Sequence, residues 1–176
     1  FLNNLKRKDS AKISRRYGNI TRRLNMTFRE TEDRSNNSLQ AGSYGRYSGI
    51  NGISDLDMLY IMPASLWVKY SGNPSGLLDA CKSAIYETYP KTTLKKDRNV
   101  VVVSFANFDI EVVPVFLQSD GKFKYPDTYS GGGWNICDTK AELEAFKTKN
   151  IERNRNLRKL AKMVRAWKAK NSIIMS

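Results

Sequence analysis

Apolar residues recur along this chain with two different periods, and the switches between them mark out its elements. From 10 to 30, Ile13, Tyr17, Ile20, Leu24 and Phe28 follow one another at spacings of four, three, four and four, which lines one face of a helix. Its opposite face carries Lys12, Arg15, Arg16, Arg22, Arg23 and Arg29 and reads as solvated. The polar run "TEDRSNNS" (31–38) breaks the pattern and predicts a loop, with a short helix around Leu39–Ser43. "LDMLYIM" (56–62) predicts a strand closed by Pro63, "YSGNPSG" (70–76) a turn-rich loop, and 77–89 a helix through Leu77, Leu78, Cys81, Ala84 and Ile85. The β-branched "NVVVVSF" (99–105) predicts a strand buried on both faces. After a hairpin-like "AN", "FDIEVVPVF" (108–116) predicts its partner. An aromatic-threaded loop (119–135) follows, and then a helix over 151–170 with Leu157, Leu160, Ala161, Val164 and Trp167 on one face. Helices and strands mix without a repeating βαβ rhythm, so the expected class is α+β with one mixed sheet flanked by helices.

Charged residues interrupt this pattern at two places. Asp55 and Asp57 open an apolar strand shortly after the glycine-serine turn "AGSYG". Alternation along a strand points both carboxylates to one face, where they repel each other unless a cation sits between them. A divalent ion with oxygen ligands, Mg2+ above all, meets that need. In the strand 108–116, Asp109 and Glu111 share a face by the same alternation. If this strand lies beside 56–62, Glu111 completes a trio with Asp55 and Asp57. Three carboxylates around one or two Mg2+ ions suit nucleotidyl transfer.

Composition narrows the chemistry. The 176 residues, 40% of them hydrophobic, suffice for one compact domain with a core, and no apolar run reaches the roughly 20 residues a membrane span needs. The opening segment lacks the continuous apolar stretch of a secretory signal. The two cysteines, Cys81 and Cys137, form neither a disulfide framework nor a zinc site, which points to a reducing cytoplasm. With no histidine in the chain, catalysis rests on carboxylates, hydroxyls, Lys, Arg and a metal. The formal charge of +13 predicts an anionic partner, whether nucleotides, nucleic acid or an acidic surface.

The run "GSYGRYSGINGISDLD" resembles the nucleotidyltransferase signature of the DNA polymerase β-like superfamily. More narrowly, "GISDLDMLYIMP", "IEVVPVF", "YPDTYSGGGW" and "LAKMVRAWK", in that order, resemble the bacterial CD-NTases, cyclic-oligonucleotide synthases of anti-phage defence similar to cyclic GMP-AMP synthase. The resemblance implies a polymerase β-like core. Gly42 and Ser43 would hold the donor's phosphates through backbone N–H groups and the serine hydroxyl. Asp55 and Asp57 would bind both metal ions, Mg2+ or Mn2+, and Glu111 would be the third carboxylate. Most relatives carry Asp there, and Asp109 is the alternative ligand. Arg165 matches a triphosphate-contacting Lys of the family, and Lys162 lies one turn earlier.

The activity so implied is Mg2+-dependent joining of nucleoside triphosphates (ATP, GTP, UTP or CTP) into a cyclic di- or oligonucleotide, with no requirement for nucleic acid or membrane. Template-independent RNA tailing or protein nucleotidylation is the rival within the superfamily, and a non-catalytic nucleic-acid-binding module the rival outside it. The implied organisation is a catalytic core over 1–150 and, over 151–176, the start of a helical lobe that the sequence leaves incomplete.

Overall fold

A computed structural model of the chain describes residues 10–50, 55–129 and 132–171. The opening segment, the glycine turn just before Asp55 and the tail after 171 therefore lie outside the described residues. In chain order the elements are α1 (Ser10–Arg29), β1 (Ser38–Gln40), α2 (Gly42–Gly45), β2 (Leu56–Ile61), a 3-10 turn (Ala64–Leu66), α3 (Trp67–Tyr70), α4 (Pro74–Thr88), β3 (Thr93–Asp97), β4 (Val100–Phe105), β5 (Phe108–Leu117), β6 (Phe123–Asp127), β7 (Gly133–Cys137), α5 (Thr139–Glu152) and α6 (Asn156–Lys170).

The sheet runs β1-β2-β5-β4-β3, and β6 and β7 extend it from the far end of β5. Among the described residues only β2 and β5 pair in parallel and the other pairs are antiparallel, so the sheet is mixed as expected. One face is apolar across its central strands β2, β5 and β4. Leu56, Met58, Ile110, Val112, Val101 and Val103 meet Ile20 and Leu24 of α1 and Leu77, Leu78, Cys81 and Ile85 of α4 in the main core. The apolar stripe of α1 is thus its buried face. A polar hub anchors that helix, with buried Asn25 donating to the carbonyls of Asp33 and Asn36 and accepting from Tyr60. Burial pushes the Tyr60 hydroxyl up to about 12. The other face carries a smaller cluster of Leu59, Val115, Phe123 and Ala41.

Several sequence expectations need correction. Leu39 lies in a short strand, and the helix begins only at Gly42. The 77–89 helix starts at Pro74, because Asn73 caps it by accepting from the Gly76 amide and proline suits the first turn. β4 is buried on both faces at its start, through Val100 and Val101, whereas Val102, Ser104 and Phe105 are only partly buried. β3, "TLKKD", is an edge strand whose mostly exposed polar residues give no hydrophobic alternation to read. The 119–135 loop contains β6 and β7, held by backbone pairing and by Arg98 clamping Asp127 with two hydrogen bonds of 3.0 and 2.9 Å. Pro114, unexpected inside a central strand, falls where β4 pairing has ended at Val112 and β6 pairing has not begun at Phe116.

The helix expected over 151–170 is present but begins only at Asn156, and a further helix, α5, precedes it. α5 ends at Glu152, and α6 begins at Asn156 after Asn154 and Arg155 adopt positive φ (51° and 61°). Asn150, buried in the bend, accepts from the Arg158 amide at 2.9 Å and so caps the new helix. No residue of α6 is buried, and Leu160, Val164 and Trp167 stand about half exposed. Among the described residues no helix is long and apolar enough to cross a membrane.

Candidate active site

The parallel pairing of β2 with β5 sets Asp57 directly opposite Glu111, on the face away from α1 and α4. Asp55, just ahead of β2, accepts from the Asp109 amide at 3.4 Å. Four carboxylates therefore share one end of one sheet face, as the alternation predicted. Burial pushes both Asp57 and Glu111 upward. For Glu111 the charges of Asp57, Asp55 and Asp109 add to the effect.

The glycine-serine turn sits on top of this row. The Ala41 amide donates to the Asp57 carbonyl at 2.9 Å, which delivers the chain into α2 beside the carboxylate. Gly42 has φ +52°, and a Cβ there would collide with the Asp57 carboxylate. Glycine is needed at 42 on both counts. The Ser43 amide donates to Asp57. One backbone donor expected to hold phosphate is thus directed at the aspartate.

Lys162 and Arg165 reach the turn from α6. Lys162 borders a cavity of about 380 Å³ together with Gln40, Ser43, Tyr44 and Tyr47. Arg165 is half-buried, and its guanidinium feels the charges of Arg46 and Asp57. Burial, chiefly, lowers its proton affinity. All seven residues singled out in the sequence, Gly42, Ser43, Asp55, Asp57, Glu111, Lys162 and Arg165, thus gather around one turn and one strand pair.

Among the described residues, no three Asp, Glu, His or Cys side chains are gathered closely enough to hold a metal ion as they stand. Asp55 and Asp57 each direct an oxygen to a backbone amide instead. The donor set still fits a hard divalent cation. It offers only carboxylate oxygens, in a row where neighbouring charges help raise Asp57 and Glu111, which are strand neighbours.

Residues 1–150 match the Second Messenger Oligonucleotide or Dinucleotide Synthetase (SMODS) domain. The chain belongs to the SMODS family. Solved structures share the fold of this SMODS domain. The Elizabethkingia meningoseptica CdnE cyclic dinucleotide synthase with GTP and Apcpp has a TM-score of 0.68 at 17% identity, covering 96% of this chain and 62% of its own. The Rhodothermus marinus CdnE c-UMP-AMP synthase with Apcpp and Upnpp gives 0.62 at 13%, covering 93% and 64%. The Vibrio cholerae DncV cyclic AMP-GMP synthase gives 0.61 at 15%, covering 74% and 40%. The chain therefore spans less than two thirds of the length of these relatives. Comparison with curated proteins gave no match. The mixed-sheet α+β core that the resemblance implied is the fold this SMODS domain shares with these synthases.

Sequence reasoning missed two site-shaping residues of the domain. Arg46 follows α2 and pairs with Glu142 of α5 while facing Asp57 and Arg165. Its signal was position alone, four residues after Gly42. Asn150, which caps α6, had no signal, because α5 itself was not read.

Proposed function

We propose that this SMODS domain is the catalytic core of a cyclic di- or oligonucleotide synthase that uses nucleoside triphosphates to make a second messenger in cytoplasmic anti-phage defence. The observation that carries the catalytic reading is the β2–β5 register, which sets Asp57 beside Glu111 under the Gly42–Ser43 turn. The signalling role rests on the family and on the solved relatives, whose names describe cyclic-nucleotide synthesis.

In this reading Asp55, Asp57 and Glu111 hold Mg2+ or Mn2+. Bound there, the ion supplies charge neutralisation for the triphosphate and lowers the pKa of the attacking hydroxyl. Lys162 and Arg165 take the donor's phosphates, Arg165 through a guanidinium that can grip two oxygens at once. A ribose hydroxyl of one nucleotide forms the new O–P bond at the α-phosphorus of another as the bond to pyrophosphate breaks. Glu111, the carboxylate opposite Asp57 in the strand pair, receives the hydroxyl proton. Repeating the step within the linear product closes the ring.

The test is incubation with all four triphosphates and Mg2+, read by mass spectrometry and pyrophosphate release. A phosphatase-resistant cyclic product is expected, and Asp55→Ala/Asp57→Ala should reduce pyrophosphate release at least about 10³-fold in a folded protein. Label transferred to RNA or protein would establish the rival transfer reactions instead. An active, folded double variant would refute the carboxylate assignment.

A further inference from the structure

A second cavity, about 230 Å³, lies behind the phosphate turn, between α2, α5 and α6. Four cations line it: Arg46 after α2, Lys140 and Lys147 on α5, and Arg158 on α6. Acid does not balance them. Arg46 is held by Glu142 and Lys147 by Glu144, but Lys140 and Arg158 make no ion pair among the described residues. Lys140 instead sits over the Phe123 ring at 5.5 Å, and Arg158 over the Tyr47 ring at 5.1 Å. The Arg158 Nε is buried and has no hydrogen-bond partner. Two of the four cations in the lining therefore have no acidic partner among the described residues, a charge that an anion in the cavity would neutralise. Neither the sequence motifs nor the carboxylate row accounts for this cluster.

We infer that this cavity binds a phosphate-bearing anion of pyrophosphate size, either free or as the tail of a nucleotide whose base remains outside. The volume lies below the range of about 300–1,000 Å³ usual for pockets that enclose a whole small-molecule ligand, which favours a phosphate group over an entire nucleotide. Two guanidinium forks and two ammonium groups converging from three elements match the several oxygens of a diphosphate. An occupant would compete with Glu142 for Arg46. It would also tie α6, which carries Lys162 and Arg165, to the turn that carries Ser43.

The test is calorimetric titration of the chain with sodium pyrophosphate in EDTA, which reads binding without turnover, the variants below separating this cavity from the donor-phosphate site. Lys140→Gln/Arg158→Gln should weaken binding at least about tenfold. Lys162→Ala/Arg165→Ala removes the pyrophosphate contacts of the proposed donor site; repeated in that background, the titration should retain a binding event that Lys140→Gln/Arg158→Gln then weakens about tenfold. Lys140→Gln/Lys147→Gln changes only α5 side chains at the cavity mouth; it should also weaken binding about tenfold and serves if the Arg158 variant fails to fold. Parallel titrations with ATP and AMP distinguish the sources: tighter pyrophosphate binding points to the free anion, and ATP binding at least as tight points to a nucleotide tail. Absence of pyrophosphate binding to the unmodified chain would overturn the inference. So would a loss confined to the Lys162/Arg165 variant.

Discussion

Asp57 and Met58 are consecutive residues of one strand, and the sheet treats them in opposite ways. Met58 points toward α1 and α4 and has no exposed surface, as do Leu56 before it and Ile110 and Val112 on β5. Asp57 points to the other face, beside Glu111, where burial works against both charges. The same two strands thus hold the domain's most stabilising contacts and some of its least favourable ones, one residue apart. Shifting the β2–β5 pairing by one residue would exchange the two sets, so the apolar face fixes the register on which the carboxylate row depends. The core selects the geometry, and the site bears a cost in stability for its function.

Three measurements probe this contrast, and the first carries the largest effect. Met58→Ala should destabilise the fold by about 3 kcal/mol in denaturant titration, since it opens a cavity at a closed position. Gly42→Ala should cost about 2 kcal/mol, because the left-handed backbone and the collision with Asp57 act together. Its activity should fall further than its stability, as the turn is displaced from the carboxylate. Asp57→Asn and Glu111→Gln should have the opposite sign in stability, each raising the metal-free melting temperature by about 2–4 °C at pH 7.

The sign of that last effect follows from linkage. Both carboxyls have folded pKa values raised above their unfolded ones. Their contribution to stability is complete below the unfolded carboxylate range, near pH 4, and is lost as the pH rises through the folded values. The amides do not suffer this loss. Their advantage should therefore shrink as scans in EDTA are taken down toward pH 4. An advantage that persists unchanged there would mean that packing, and not charge, distinguishes the two faces.

The parts of this fold legible in sequence are those where a period was strong and chemistry broke it. α1, β2, β5 and the row Asp55–Asp57–Glu111 followed from alternation and helical spacing alone, and the Gly-Ser turn from the motif. What escaped had physical reasons. β3 is an edge strand with little to bury, and β6 and β7 are short strands carrying Lys, Pro, Asp and Asn, so turn-forming residues masked them. The bend between α5 and α6 depends on two left-handed residues that are neither Gly nor Pro, and on a cap, Asn150, four and five positions before them. α1 and α6 have similar amphipathic patterns, yet only α1 is covered. Pattern predicts a helix with a sticky face but not what meets it. The arginines of α1 likewise read as solvated, whereas Arg23 reaches Thr88, Arg29 reaches the Ile61 carbonyl and Arg16 lies over Phe105.

The single parallel pairing in the sheet also bears on the order in which the domain folds. β3, β4 and β5 follow one another through short turns, so their antiparallel ladder closes with little loss of chain entropy. β2 can join β5 only after the crossover that contains α3, α4, β3 and β4 has been brought round, as a parallel pair requires. Asp57 and Glu111 therefore meet late, once the hydrophobic face of the hairpin ladder is available to bind β2. Their repulsion has little effect on early intermediates and falls mainly on the final docking step. Mutating these carboxylates should then leave the early phases of folding unchanged and speed the docking of β2.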